Sequence, residues 1–382
     1  MMPLDPSSLV SIIEEKVSKI HTTHLDVSFN EIVDMYENSE LNISPEFQRL
    51  FRWSIGKQSR FIESLILEMP VPPIYVIELE DGKYELIDGL QRISTYLHLR
   101  GKLIGAQHNN VENNAKLILK DCDVIEELND FTFDDLPTAY QIRLKRSFIR
   151  MEVIRKESNN LIRYHMFKRL NTGGEGLEDQ ELRNCTIRIL NEEFPNFLNE
   201  IVNNTDFQET TDNISDAKTL NAYKEELILR FFAFKNLREN YTHDIADFLD
   251  EYMEKISLPS DNQHYIEFNY QNEKIIFEKT FKILNKALAS KTFGQASKNF
   301  DSIHENFSIY QYESITLALQ EIIHKIDPEN EIHINAIKDT ITEVKLSRSF
   351  KPITTGGGKN TKNKLNERIE YVANKLRGIT FD

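Results

Sequence analysis

The chain has 382 residues, 40% of them hydrophobic and 28% charged, and its formal net charge is −15. This length exceeds the ~100–200 residues typical of one domain and predicts two domains. The acidic balance argues against a protein that coats nucleic acid non-specifically. The two cysteines, Cys122 and Cys185, lie outside any Cys/His cluster, which argues against the common zinc sites. Because the sequence shows neither a signal-peptide pattern nor a run of ~18 apolar residues, we expect a cytoplasmic protein.

The first half of the chain mixes helical and strand patterns. Helical spacing of apolar residues predicts helices at 8–20, 28–38, 56–67, 91–99, 136–145, 162–170 and 178–193. β-rich runs predict strands at 74–80, 83–88, 117–119 and 148–154. Asp81-Gly82 joins the first two strands as a hairpin, because this pair suits the positive φ angles of a type I′ turn.

The second half carries helical periodicity with few strand signals. Helices are predicted at 222–237, 244–256, 272–291, 312–326 and 367–376. The sequence therefore predicts an α+β domain over 1–190 followed by an all-α domain over 191–382.

The junction between the second hairpin strand and the next helix reads Asp88-Gly89-Leu90-Gln91-Arg92. A glycine there lets the backbone turn sharply and lets a ligand come close, and the first turn of the helix presents unpaired N–H groups to a phosphate. Arg92 adds a planar donor fork, Asp88 a carboxylate for a divalent cation, and Gln91 an amide able to orient water. The structural alternative is a plain turn with Arg92 paired to a surface acid.

Two further polar segments are candidates for the same site. Gln48 and Arg49 follow an extended segment and precede Trp53, the only tryptophan, which either stacks on a base or packs in the core. Asn171, Gly173 and Gly174 follow a predicted helix and form either an anion-binding turn or a helix C-cap.

A basic segment lies near the C-terminal end. It spans residues 345–364, contains no acidic residue and is either a nucleic-acid contact or a solvated loop. Its basic residues are Lys345, Arg348, Lys351, Lys359, Lys362 and Lys364. Its Thr355-Gly356-Gly357-Gly358-Lys359 stretch lacks the first glycine and the final Ser/Thr of a Walker motif, so we do not interpret it as a P-loop.

Taken together, these motifs resemble the DUF262 family, the N-terminal domain of GmrSD-type modification-dependent restriction enzymes. Phe47-Gln48-Arg49 with Trp53 is similar to the family's first box, and residues 70–74 to its proline-rich entry to a strand. Residues 87–92 resemble its DGQQR signature, with Leu90 in place of the first glutamine. Residues 167–183 are similar to its FxRLNTGG…QELR segment.

The resemblance implies a ParB/sulfiredoxin-like fold that binds a nucleoside triphosphate with Mg²⁺, in a prokaryotic system that defends against foreign DNA. Carried over by motif, the phosphate-side residues are Asp88, Gly89, Gln91 and Arg92, with Gln48 and Arg49 from the first box and Asn171, Gly173 and Gly174 as additional members. Leu90 suggests nucleotide binding without turnover. The HNH-type nuclease domain of the full enzymes is not recognised in this sequence, so we expect a shorter, stand-alone member.

The leading hypothesis is an NTP-binding sensor or regulator, with Asp88, Gln91 and Arg92 as the residues that would serve hydrolysis and Asp88 as the Mg²⁺ ligand. Two alternatives come from other functional classes. One is a non-catalytic DNA-binding module, and the other is a docking partner for a separately encoded nuclease. Assembly into a homo-oligomer is compatible with all three.

Overall fold

The computed structural model describes residues 5–43, 51–105, 111–171, 179–215, 218, 222–242 and 244–381. The chain forms two compact units, Met1–Leu177 and Glu178–Asp382, which are described separately below. Among the residues described, no helix is long and apolar enough to cross a membrane.

The N-terminal unit is built on a mixed five-stranded sheet. Its strands are β1 (Thr22–Ser28), β2 (Leu41–Asn42), β3 (Ile74–Glu78), β4 (Tyr84–Asp88) and β5 (Phe148–Ile154). The helices of this unit are α1 (Pro6–Val17), α2 (Phe29–Glu37), α3 (Ile55–Ile66), α4 (Leu90–Leu99), α5 (Thr138–Arg146) and α6 (Asn160–Asn171). The strand order is β1-β5-β3-β4-β2, which leaves β1 and β2 at the edges.

The sheet is irregular where β4 ends. Tyr75 pairs with Asp88, whereas the neighbouring Val76 pairs with Leu86, so Ile87 is an extra residue on β4. Such a bulge bends its strand and redirects the residues that follow. Leu86 and Ile87 are consequently both buried although they are neighbours in sequence, and the chain leaves β4 at Asp88 towards α4.

Helix α4 lies in the core of this unit. The ring of Tyr96 stacks on that of Phe29 at 4.6 Å, and its hydroxyl donates to the Leu144 carbonyl over 3.0 Å. Ile93 and Leu97 are fully buried. These packing contacts hold α4, including its first turn, in position against the rest of the unit.

Some predictions for this unit need correction. The hairpin is confirmed, with positive φ at both Asp81 and Gly82, although β3 ends at Glu78 and β4 begins at Tyr84. The predicted strand at 117–119 is wrong: these residues form no ladder, and Leu117 instead donates its N–H to the His98 carbonyl. Strand β1 was missed, since five of its seven residues are exposed and its pattern carries little alternation.

A buried carboxylate organises the segment after residue 119. Glu63 on α3 is 2% exposed, and its oxygens accept N–H groups from Asp123 (3.4 Å), Val124 (3.0 Å) and Ile125 (2.6 Å). Nearby, the Ser59 hydroxyl accepts the N–H of Lys120. An irregular segment cannot satisfy its own backbone, so these side chains of α3 replace the missing ladder.

Among the described residues of the C-terminal unit, the elements are helices joined by turns and irregular segments, with one isolated bridge between Ala296 and Ile303. Its helices are α7 (Asp179–Thr186), α8 (Glu193–Ile201), α9 (Thr205–Thr210), α10 (Tyr223–Leu237), α11 (Ile245–Ser257), α12 (Tyr270–Leu288), α13 (Ile309–Leu319), α14 (Glu331–Lys345), α15 (Lys351–Thr354) and α16 (Lys362–Arg377). The continuous helix predicted at 178–193 is wrong, because a 3₁₀ turn at Ile187–Ile189 ends α7. Helices α8, α9, α14 and α15 were not predicted.

Charged side chains inside this unit form a continuous series, which we call the ion-pair chain. Arg183 contacts Asp250 at 2.5 Å and Glu226 at 3.7 Å. Arg230 then joins Glu226 at 2.7 Å to Glu313 at 3.0 Å. Glu313 also pairs with Arg368, which is 2% exposed. The three acids and three bases alternate, so the charges compensate one another where water is largely excluded.

Replacing Glu63 with alanine is predicted to destabilise the N-terminal unit by about 2–4 kcal/mol, because the N–H groups it accepts would lose their partner in the interior. The fluorescence of Trp53, the only tryptophan, reports unfolding of this unit during a urea titration. Glu112→Ala removes an exposed glutamate of the same unit and should change stability by less than about 0.5 kcal/mol. Equal stabilities for the two variants would contradict the role given to Glu63.

Candidate functional site

The turn between β4 and α4 is closed by Gly89. Its φ of 105° lies in a region that L side chains rarely adopt, and it caps the N-terminus of α4. A Cβ at this position would lie 2.3 Å from Cγ2 of Ile74 and 2.9 Å from its Cβ. Glycine is therefore required for two separate reasons, backbone conformation and close packing against β3.

Asp88 and Arg92 flank this turn and contact each other. Nη2 of Arg92 donates to Oδ2 of Asp88 and to the carbonyl oxygen of Pro73, each over 3.0 Å. The Arg92 side chain is 15% exposed and that of Asp88 36% exposed. Nε of Arg92 is buried and has no hydrogen-bond partner in the described part of the chain. The guanidinium is thus fixed in position with donor capacity left over.

Gln91 has a structural contact that its sequence position did not suggest. Its Oε1 accepts the backbone N–H groups of Arg52 (3.0 Å) and Trp53 (3.1 Å). An oxygen held by two amides is not placed to orient an attacking water as well. The geometry gives Gln91 a positioning role, in which it holds the backbone of Arg52 and Trp53 against α4. Its predicted catalytic role stays a prediction.

The same segment is held from a second side by residues that sequence reasoning missed. Gln58 donates from Nε2 to the Trp53 carbonyl over 2.8 Å, and its Oε1 lies 2.8 Å from Nδ1 of His98. Burial lowers the pKa of His98 to about 4, so the ring is neutral at pH 7. The indole of Trp53 packs edge-on against Phe61 at 5.8 Å. No motif marks Gln58 or His98, because the two residues are 40 positions apart in sequence.

Several predicted members of the site are not located by the structure. Gln48, Arg49, Gly173 and Gly174 lie outside the described residues. Asn171 is the last residue of α6. Leu90, which replaces a polar residue of the family signature, is 5% exposed and belongs to the core.

The basic segment is less uniform than its sequence suggests. Lys345 must be removed from the predicted nucleic-acid contacts: it is 1% exposed at the end of α14, and its Nζ donates to the carbonyls of Lys291 (3.1 Å) and Gly294 (2.7 Å). Burial lowers its pKa to about 7. Lys351 donates to the Ser297 carbonyl over 3.2 Å and, like Arg348, lies over the ring of Phe300.

The remaining lysines of the segment, Lys359, Lys362 and Lys364, all follow the three glycines of the loop. Lys362 contacts Glu239 at 3.5 Å, and Lys364 contacts Glu367 at 2.7 Å. Lys359 accepts, through its carbonyl, a hydrogen bond from Arg368. The segment is a helix end, a short helix and a loop leading into α16 rather than one extended loop, and part of its charge is neutralised.

Neither of two grooves on the N-terminal unit is lined by Asp88, Gln91 or Arg92. One, of about 780 Å³, lies beside β2, and the other, of about 1060 Å³, lies beside Pro73. Among the described residues, no three or more His, Cys, Asp or Glu side chains are grouped to hold a metal ion.

Gly89→Ala is predicted to lower the stability of the N-terminal unit more than Gly82→Ala does. Both glycines have positive φ, but an added Cβ at Gly82 would meet nothing within 4 Å, so that variant isolates the backbone penalty of about 1 kcal/mol. The contact with Ile74 should add a further 1–3 kcal/mol or so at Gly89. Urea titrations followed by Trp53 fluorescence measure both, and equal losses would contradict the close-packing argument.

Gln91→Ala is predicted to release the backbone at Arg52 and Trp53, with a red shift of the Trp53 emission and a loss of about 1–3 kcal/mol. Gln91→Glu keeps an oxygen at the same position, so its emission should match that of the wild type. The positioning role fails if Gln91→Ala leaves emission and stability unchanged.

Comparison with protein families identifies the domain that contains this turn. Residues 29–188 match the family described as the GmrSD restriction endonuclease, N-terminal domain. Neither curated proteins nor solved structures gave a match. The matched range begins at α2 and includes the β4–α4 turn, α6 and α7. The chain therefore carries a domain of the GmrSD N-terminal family, also called DUF262.

Proposed function

We propose that the N-terminal unit binds a nucleoside triphosphate with Mg²⁺ at the β4–α4 turn. The chain would act as a nucleotide-responsive sensor or regulator in a prokaryotic, restriction-type defence against foreign DNA. Support for the system comes from the family, whose description is that of a restriction endonuclease domain. Support for the ligand comes from the residues around Gly89.

The observation that carries the proposal is the state of Arg92. A guanidinium has five N–H donors, and the two contacts described here both come from Nη2. A buried donor without an acceptor, such as its Nε, costs about 1–3 kcal/mol. A phosphate beside α4 would offer charged oxygens to the accessible donors of this planar fork, whose side chain is 15% exposed. Binding energy would thus come from hydrogen bonds to the accessible N–H groups of a guanidinium that the fold already holds in place.

The turn offers two further features suited to a phosphate. Gly89 has no side chain, so an anion can approach the backbone closely. Helix α4 begins directly after it, and the unpaired N–H groups and partial positive charge of a helix N-terminus favour an anion. Arg92 lies in the first turn of that helix, and a Cβ at Gly89 would lie 3.4 Å from its Nη2, so the guanidinium, the turn and the helix N-terminus are adjacent.

A magnesium ion fits this site only together with phosphate. Mg²⁺ in nucleotide sites is commonly held by one or two carboxylates, with phosphate oxygens and water completing its shell. Asp88 supplies one carboxylate at the end of β4, 36% exposed. When bound, the ion would screen phosphate charge, while Asp88 would exchange part of its pairing with Arg92 for the cation. We propose binding as the primary activity, because the Gln91 oxygen is already occupied by two backbone amides.

Nucleotide affinity is predicted to fall about 10- to 100-fold or more in Arg92→Ala, because a hydrogen bond to a charged group contributes about 1.5–3 kcal/mol. Calorimetric titration with ATP, GTP and CTP in the presence of Mg²⁺ measures it. Arg155→Ala is the matched control, since Arg155 is also an arginine of this unit that pairs with an acid, Glu78 at 3.0 Å, but its side chain is 42% exposed. It should retain wild-type affinity.

Phosphate release in the same samples separates two forms of the proposal. Binding without release identifies a nucleotide-gated switch, and release that depends on Arg92 identifies an NTPase. If the wild type binds none of the three nucleotides, or if Arg92→Ala binds as tightly as Arg155→Ala, the assignment of the site is wrong. DNA binding or docking of a nuclease would then be the next hypotheses to test.

A further inference from the structure

Helix α1 carries an apolar face that nothing in the described structure covers. Five apolar side chains of this helix are between 41% and 58% exposed: Leu9, Val10, Ile12, Ile13 and Val17. Ile20, just beyond the helix, is 42% exposed. At 100° per residue, these six side chains fall within an arc of about 160° on one side of the helix. Lys16, which is exposed, lies within this arc between Ile12 and Leu9, and Glu14 borders it next to Val10 and Val17.

A helix of this length is not stable by itself. Isolated helices shorter than ~12–15 residues are marginal in water, and most helical stability in proteins comes from packing an apolar face. Helix α1 has 12 residues, begins with a proline and has no side-chain cap. Its exposed aliphatic side chains therefore require a surface to pack against.

The same unit has an apolar groove that is also uncovered. It has a volume of about 1060 Å³ and lies between the end of α3, α5 and the start of β5. Three large apolar side chains that line it are exposed: Met69 by 47%, Ile142 by 41% and Phe148 by 66%. Exposed apolar surface of this kind marks interaction sites.

The edge of this groove carries arginines. Arg143 contacts Glu68 at 3.4 Å and Arg150 contacts Asp26 at 3.2 Å. Arg146 lines the groove, is exposed and has no acidic partner in the described part of the chain. Arg146 is therefore the arginine of this edge whose charge is not compensated by an acid in the described part of the chain. Glu14, at the border of the apolar face of α1, has the opposite charge.

We propose that the protein forms a two-fold symmetric dimer in which α1 of each copy packs in the groove of the other. The apolar face of α1 would cover Met69, Ile142 and Phe148, and Glu14 would pair with Arg146 of the second copy. A two-fold exchange occupies both grooves and both helices and leaves no open end. It also doubles the buried area towards the ~1,200–2,000 Å² of stable interfaces. This dimer does not depend on nucleotide binding.

Analytical ultracentrifugation of the full chain over a range of concentrations tests the proposal. The wild type should be a dimer. Ile13→Asp on the helix and Phe148→Asp in the groove should each weaken it at least tenfold, since a charge would be buried against apolar groups. Both positions are exposed in the single chain, so the substitutions should not impair folding. Ile332→Asp is the control, because Ile332 is 71% exposed in the C-terminal unit, and it should leave the dimer intact.

A charge exchange identifies the pairing. Glu14→Arg and Arg146→Glu should each weaken the dimer, and the double variant should restore it in part. A monomeric wild type would overturn the proposal. So would a dimer that resists both aspartate substitutions, or one that responds to Ile13→Asp but not to Phe148→Asp, since the helix would then pack elsewhere.

Discussion

The contact between the turn at Gly89 and the side chain of Ile74 is the constraint on which the N-terminal unit depends. It brings the end of β4 against the start of β3 with no room for a Cβ, and it sets the direction in which α4 departs. Arg92 reaches the Pro73 carbonyl because Pro73 precedes Ile74. Gln91, one residue earlier, reaches the backbone of residues 52–53. The candidate site and the core are therefore one piece of structure.

Local signals in the sequence identified this turn correctly. An Asp-Gly pair between a β-rich run and a helical run fixes the strand, the turn and the helix through backbone preferences that need no tertiary information. The roles of the side chains could not be predicted from the same local signals. Arg92 has the Pro73 carbonyl as a partner, and Gln91 has two backbone amides some 40 residues away in sequence. Spacing within a motif contains no information about such contacts.

The misassigned elements share the same cause. The residues at 117–119 are apolar and β-rich, but Leu117 pairs with a helix carbonyl, and the backbone that follows is satisfied by Ser59 and Glu63. Lys345 belongs by sequence to a basic run, yet it lies in the interior at the end of α14, where two carbonyls accept hydrogen bonds from its Nζ. In both cases, contacts with residues distant in sequence override the structure that the local pattern favours.

The ion-pair chain shows that the end of the family match and the start of the C-terminal unit do not coincide. The family match runs to residue 188 and includes Arg183, but the carboxylates that neutralise Arg183 belong to Glu226 and Asp250, beyond the match. Helix α7 thus lies within the family match, whereas the ion pairs of its Arg183 are made with the C-terminal unit. A fragment cut at the family boundary would carry an arginine stripped of both counter-charges. Burial of that arginine therefore depends on acids supplied by the helical region that follows the domain.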